Sequence, residues 1–261
     1  MIKNVLIAAL VLVIIGTFGY ILWQKNVAIP DRPEEAQLPL PTLETRTITE
    51  ETAQYRVEVQ YPVLTGIDPA RAEKVNAALE AELRRGVAVF TKEVTSWEGE
   101  GFDAPFEDVK SELHVEYAPS LVRPELVSII FQHSEYMAGA AHSLNFTSGW
   151  TWRLDTGELV TLEELFKPGA QYLPVLSGIS RRELRETAAD RGYFPEDIDR
   201  GTEPKVENFK FFALTERELI VFFSPYQVAS YAAGIPEVRI PYSELSAVID
   251  ARGAIGVLTA P

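Results

Sequence analysis

The chain has 261 residues, 46% of them hydrophobic, no cysteine, and a formal net charge of −14. The absence of cysteine excludes a disulfide framework, a thiolate zinc site, a cysteine nucleophile and a lipid-modified N-terminal cysteine. The acidic balance repels phosphate backbones and argues against nucleic acid; it suits a basic partner, or solubility alone.

The first element is the strongest. From Val5 to Trp23 there is no charge. As a helix, about 19 residues rising 1.5 Å each would span the ~30 Å hydrocarbon layer. Tyr20 and Trp23 would then sit at the far interface. A secretory signal peptide is the rival, but "WQKNVAIP" offers a poor cleavage site. We expect one transmembrane helix over 1–25, N-terminus inside, with the rest of the chain outside the cytoplasm. Residues 26–45 hold Pro30, Pro33, Pro39 and Pro41 and read as an extended stalk.

The folded region is expected to start near Arg46. "QYRVEVQYP" alternates Tyr55, Val57, Val59 and Tyr61 with polar residues, the pattern of a half-buried strand. A helix comes next, with Asp68 as N-cap, Pro69 at its first position and a stripe of Val75, Ala78, Leu79 and Leu83. Gly86 should weaken or end its last turn. Three strand-like runs succeed it, "KSELHVEYA", "ELVSIIFQHSEYM" and "LNFTSGWTWRLD". A turn at Thr156-Gly157 leads to a short helix with a Thr161/Glu164 capping box. A helix over about 171–188 precedes a polar loop. "NFKFFALTERELIVFFSPYQVA" reads as a hairpin, and "EVRIPYSELSAVI" as a strand and a short helix. The expected class is α+β, an antiparallel sheet with helices packed on one side.

Candidate chemistry is sparse. His142-Ser143 and His133-Ser134 invite a serine–histidine reading, yet no serine sits in a G-x-S-x-G elbow. His133 lies in an apolar strand run and reads as a strand residue. With only His114, His133 and His142, and no H-E-x-x-H pair or Asp-rich calcium loop, no metal or other cofactor is expected. His114 and His133 could neighbour each other on paired strands. The small residues of "MAGAAHS", Gly139 among them, should let two strands approach closely. Trp150 and Trp152, two apart, should share a strand face, either a core or helix-covered face or an exposed one that could stack on a sugar or anchor a partner. The loop "SPYQVASYAAGIPEVRIPY" brackets Tyr226 and Tyr231 between Pro225 and Pro236, with Gly234 free to take positive φ. Pro225, Tyr226, Tyr231, Gly234, Pro236, His142, Ser143, Trp150 and Trp152 are the candidate ligand-binding residues.

Three motifs together resemble a known family. They are Ala140-Ala141-His142, the Asp155-Thr156-Gly157 turn with T-L-x-x-L-F after it, and the Tyr226–Leu245 loop ending "IPYSEL". They look like the PdaC/RsiV-like domain of bacterial envelope proteins, which occurs in a lysozyme-sensing anti-sigma factor and a peptidoglycan deacetylase. The resemblance covers residues 136–250, with 46–135 similar to the accessory segment that often precedes the domain and 251–261 as a tail. It implies an extracytoplasmic domain that binds rather than catalyses, since in the deacetylase the chemistry belongs to a separate domain. The expectation is thus a non-enzymatic binding module anchored to the bacterial cytoplasmic membrane. Its ligand would be a cell-wall glycan such as peptidoglycan, or a basic protein such as lysozyme. The alternatives are an envelope hydrolase using His142 and Ser143, or a structural component of envelope assembly.

Overall fold

Alternation of small β-branched and charged residues sets the first half of the domain. In this computed structural model, which describes residues 39–96 and 109–259, β1 (Thr42–Glu51) and β2 (Tyr55–Thr65) form an antiparallel hairpin. β2 turns Val57, Val59, Tyr61 and Val63 inward. β1 buries only Ile48 and forms the sheet's edge, its exposed positions including Glu44, Arg46, Glu50 and Glu51. It begins at Thr42, within the stretch read as stalk. The expected transmembrane helix lies outside the described residues; among those described, no helix is long and apolar enough to cross a membrane.

The helix α1 (Pro69–Ser96) starts as its sequence directs, with the Asp68 carboxylate accepting from the Arg71 amide at 3.1 Å. It does not stop at Gly86 but continues for ten more residues, to Ser96. Val75, Leu79, Leu83, Val87, Phe90 and Val94 recur every three or four residues on one buried face. That unbroken stripe, continuing past the glycine, outweighs roughly 1 kcal/mol of helix propensity lost there.

Beyond α1 the chain returns as β3 (Ser111–Val122), then β4 (Leu126–Tyr136), β5 (Leu144–Arg153) and the short β6 (Glu158–Leu159). The six strands lie in sequence order. β3 runs parallel to β2, with Val57 opposite Leu113 and Val59 opposite Val115. The expected antiparallel sheet is therefore mixed, because a helix between β2 and β3 carries the chain back to the same end. One face of this sheet, with Val115, Val127, Ile129, Phe131 and Trp152, packs with the α1 stripe in a single core.

The second half is a separate three-stranded antiparallel sheet, β7 (Phe211–Leu214), β8 (Glu218–Phe222) and β9 (Glu237–Pro241). The expectation of one sheet is corrected to two. α2 (Tyr172–Arg191), closed by Gly192 in the left-handed region, and α3 (Pro195–Gly201) pack with it through Leu176, Leu184 and Ile198. Glu164 accepts from the Thr161 amide and hydroxyl at 2.7 Å each, but the helix at this capping box is only a turn of 3-10 helix. The end of the domain returns to it, with Lys167 N–H donating to Val248 O, before the last short helix, α4 (Gly256–Thr259).

The two sheets meet where β5 crosses β7. A methyl group on Gly149 would overlap the Phe212 carbonyl. Gly149, not Gly139, is thus the residue that permits close backbone approach; Gly139 instead takes φ 88° in the β4–β5 connection. Beside it, the buried Ser128 hydroxyl accepts from the Leu214 amide at 3.0 Å and from the Thr151 hydroxyl at 2.8 Å.

Candidate active site

The β4–β5 ladder decides which side chains meet. His133 lies opposite Phe146, and Ser148 opposite Phe131. In a pleated pair, residues of one face alternate, so His133 and Ser148 are diagonal neighbours on the face toward α1. His133 Nε2 lies 2.9 Å from Ser148 Oγ. Phe146 stacks on the imidazole, with ring centres 4.3 Å apart and planes within 5°. That stacking and the serine contact hold the ring in one orientation.

The pair lines a cavity of about 230 Å³ between α1 and the sheet. Val59, Leu83, Leu113, Val115, Trp150 and Phe211 give it apolar walls, and Gly86 of α1 borders it. Burial pushes the His133 imidazole down to about 4, so the ring is neutral at neutral pH. A neutral Nε2 can accept a hydrogen bond from the serine hydroxyl, while the same burial disfavours the imidazolium. Glu135, on the same face and lining the same cavity, is raised above the usual carboxylate range, first by burial and then by the nearby Glu93 charge.

The pair expected from adjacency does not form. His142 is exposed, and its Nδ1 lies 3.0 Å from the backbone carbonyl of Ser143, not from a hydroxyl. The reading of His142 with Ser143 as a catalytic pair is corrected, because consecutive residues at a strand end point apart. His142 instead stacks on Tyr231, ring centres 4.0 Å apart. His114 is opposite Ser134 and His133 opposite Val115, so these two imidazoles leave opposite faces of the sheet. Among the described residues, no group of three potential ligands could hold a metal.

Trp150 and Trp152 do share a face, but it is the α1 face: Trp152 is buried and Trp150 lines the cavity. Of the two readings, the helix-covered face holds and the exposed stacking platform does not. Pro225, Tyr231 and Gly234 line a different, open groove on the sheet's other face, where His133 is also at the wall. Tyr226 is exposed beside Tyr231, while Pro236 is buried and its carbonyl accepts from the Phe223 amide at 3.0 Å. Ser148 escapes a reading of the sequence alone; the signal for it is a hairpin centred on Gly139–Ala140, which sets the register.

The fold is similar to that of solved proteins. A DUF3298-family protein from Bacteroides fragilis matches with a TM-score of 0.61 at 14% identity, over 86% of this chain and all of its own. Another from Pseudomonas aeruginosa matches at 0.51 and 15% identity, over 80% of this chain and 95% of its own. Two family models match in tandem: one described as deacetylase PdaC over residues 48–145, one as the protein of unknown function DUF3298 over residues 163–243. The family resemblance carried by the motifs holds, and the part taken for an accessory segment is the PdaC-described part.

Among curated proteins, a peptidoglycan-N-acetylmuramic acid deacetylase, PdaC, from Bacillus subtilis is 28% identical over 210 residues, 79% of this chain. An esterase from Mycobacterium tuberculosis is 27% identical over 145 residues, 55% of this chain. The matches span 42% and 60% of those relatives' own lengths, less than two thirds of either. Both bear enzyme names. The expectation of a module that binds without catalysing is overturned by these relatives, which point to enzymatic activity.

Proposed function

We infer that this protein is a hydrolase of the bacterial cell envelope that removes short acyl groups, with Ser148 as nucleophile and His133 as its base. The observation that carries the reading is the 2.9 Å contact between His133 Nε2 and Ser148 Oγ in an apolar cavity. The cavity, about 230 Å³, suits an acetyl-sized group and not a long chain. The names of the relatives support the reaction class, since deacetylases and esterases both cleave an acyl carbon from nitrogen or oxygen. The deacetylase's name also supports an envelope polymer as the substrate. Anchoring by the N-terminal segment, with the domain outside the cytoplasm, belongs to the same proposal.

The chemistry runs as an acyl transfer. Ser148 Oγ attacks the acyl carbon while its proton passes to His133 Nε2. The bond from that carbon to the glycan oxygen or nitrogen breaks, and the leaving atom takes the proton from Nε2. Water then attacks the acyl-serine and gives a proton to Nε2. Release of the carboxylic acid returns that proton to Ser148.

The test measures acetate released from p-nitrophenyl acetate and from O-acetylated and N-acetylated peptidoglycan. Ser148→Ala and His133→Gln should each lower turnover by about 10²–10⁴-fold while thermal unfolding stays cooperative. Wild-type rates in both variants would reduce the pair to a buried polar contact and end the proposal.

A further inference from the structure

On the face of the sheet away from α1 lies an open groove of about 620 Å³. His114 and Glu116 of β3, Gln132 and Ser134 of β4, and Asn145 and Thr147 of β5 line it, all on the same side by strand alternation. The other wall is the 225–237 loop, including Tyr231, Ile235 and Glu237. The walls offer amides, hydroxyls and two carboxylates, with no Lys or Arg among them. Arg239, which binds Glu237 at 2.9 Å, is not a lining residue.

The rim is aromatic. His142, Tyr231 and Tyr226 succeed one another in a stack, with centres 4.0 Å and 6.2 Å apart. Tyr231 is fixed from two sides: its hydroxyl accepts from Asn145 Nδ2 at 2.8 Å and donates to the Ser143 carbonyl. Tyr226 ends the stack and is 57% exposed. Its backbone sits at φ 64°, the one non-glycine residue with positive φ among those described. A tyrosine held in the left-handed region, with its ring in water, is a local cost that packing does not explain.

We propose that this groove binds an amino-sugar oligosaccharide, with the exposed ring of Tyr226, backed by Tyr231 and His142, stacking on the apolar face of a pyranose ring. The polar wall matches the hydroxyl and amide groups of such a chain, and the carboxylates suit a neutral or amine-bearing sugar and repel an acidic one. His133 borders both this groove and the cavity that holds Ser148, but Ser148 lines only the cavity, and binding in the groove does not depend on hydrolysis.

The experiment is calorimetric titration of the full chain with three hexasaccharides: N-acetylglucosamine, glucosamine, and galacturonic acid. Binding of either amino-sugar chain, with none of the acidic chain, is expected. The two amino-sugar arms distinguish acetylated from free-amine recognition. Tyr226→Gly removes the ring and relieves the backbone, so the melting temperature should hold or rise while Kd weakens about threefold to tenfold. Ser148→Ala should leave Kd unchanged, which separates this site from the hydrolytic one. No binding of either amino-sugar chain, equal binding of the acidic chain, or an unchanged Kd in Tyr226→Gly would overturn the proposal.

Discussion

His133 is asked to stay uncharged in a place where few groups could solvate its cation. An unfolded histidine takes up its proton near pH 6.5, the folded one only near 4. Between those values the unfolded chain binds more protons, so stability falls as pH drops through that window and levels off below it. Glu135 acts in the opposite sense: its raised pKa lets the folded chain take up a proton first as pH falls. Comparing wild type with His133→Gln cancels the glutamate. Urea unfolding at pH 7 and 4.5 should show wild type losing about 2 kcal/mol more than the variant; equal losses would contradict the buried neutral imidazole. The partner of His133 is not legible in the sequence because Ser148 lies fifteen residues away and meets it only through strand register. By contrast, the shared face of Trp150 and Trp152 is legible, since alternation needs no partner strand.

At the scale of elements, α1 shows how tertiary burial overrides local preference. Its N-cap at Asp68 can be read directly, whereas its length cannot, because the glycine at 86 argues for an earlier end. Nothing lies within 4 Å of a β-carbon placed on Gly86. Gly86→Ala should therefore stabilise the protein by about 0.5–1 kcal/mol in thermal or urea unfolding. A loss of stability would mean that the wall of the cavity tolerates no added methyl. The Tyr226–Pro236 loop is recognisable from its prolines and Gly234, but the groove it completes needs the polar face of β3, β4 and β5, which the sequence places far away.

At the scale of the molecule, two large cores are joined by a smaller apolar cluster of Ala213, Ile220 and Phe222, with Ile130 packed on it. One is closed by α1, the other by α2 and α3, and β5 meets β7 where Gly149 leaves room for a carbonyl. Gly149→Ala must push the sheets apart or strain the strand, and should cost about 2–4 kcal/mol in urea unfolding. A neutral result would show that the β5–β7 contact is pliable. The sequence reveals α+β content but not two sheets, because neither the parallel β2–β3 pair nor the break between β6 and β7 leaves a mark in hydrophobic periodicity. That parallel pair also bears on the order of folding. β1 can close onto β2 across a short turn, while β3 arrives only after all of α1 has been made. Until then one edge of β2 has no partner strand. The slow step is therefore expected to be the docking of α1 with β3, a long-range closure against which local hairpins are fast.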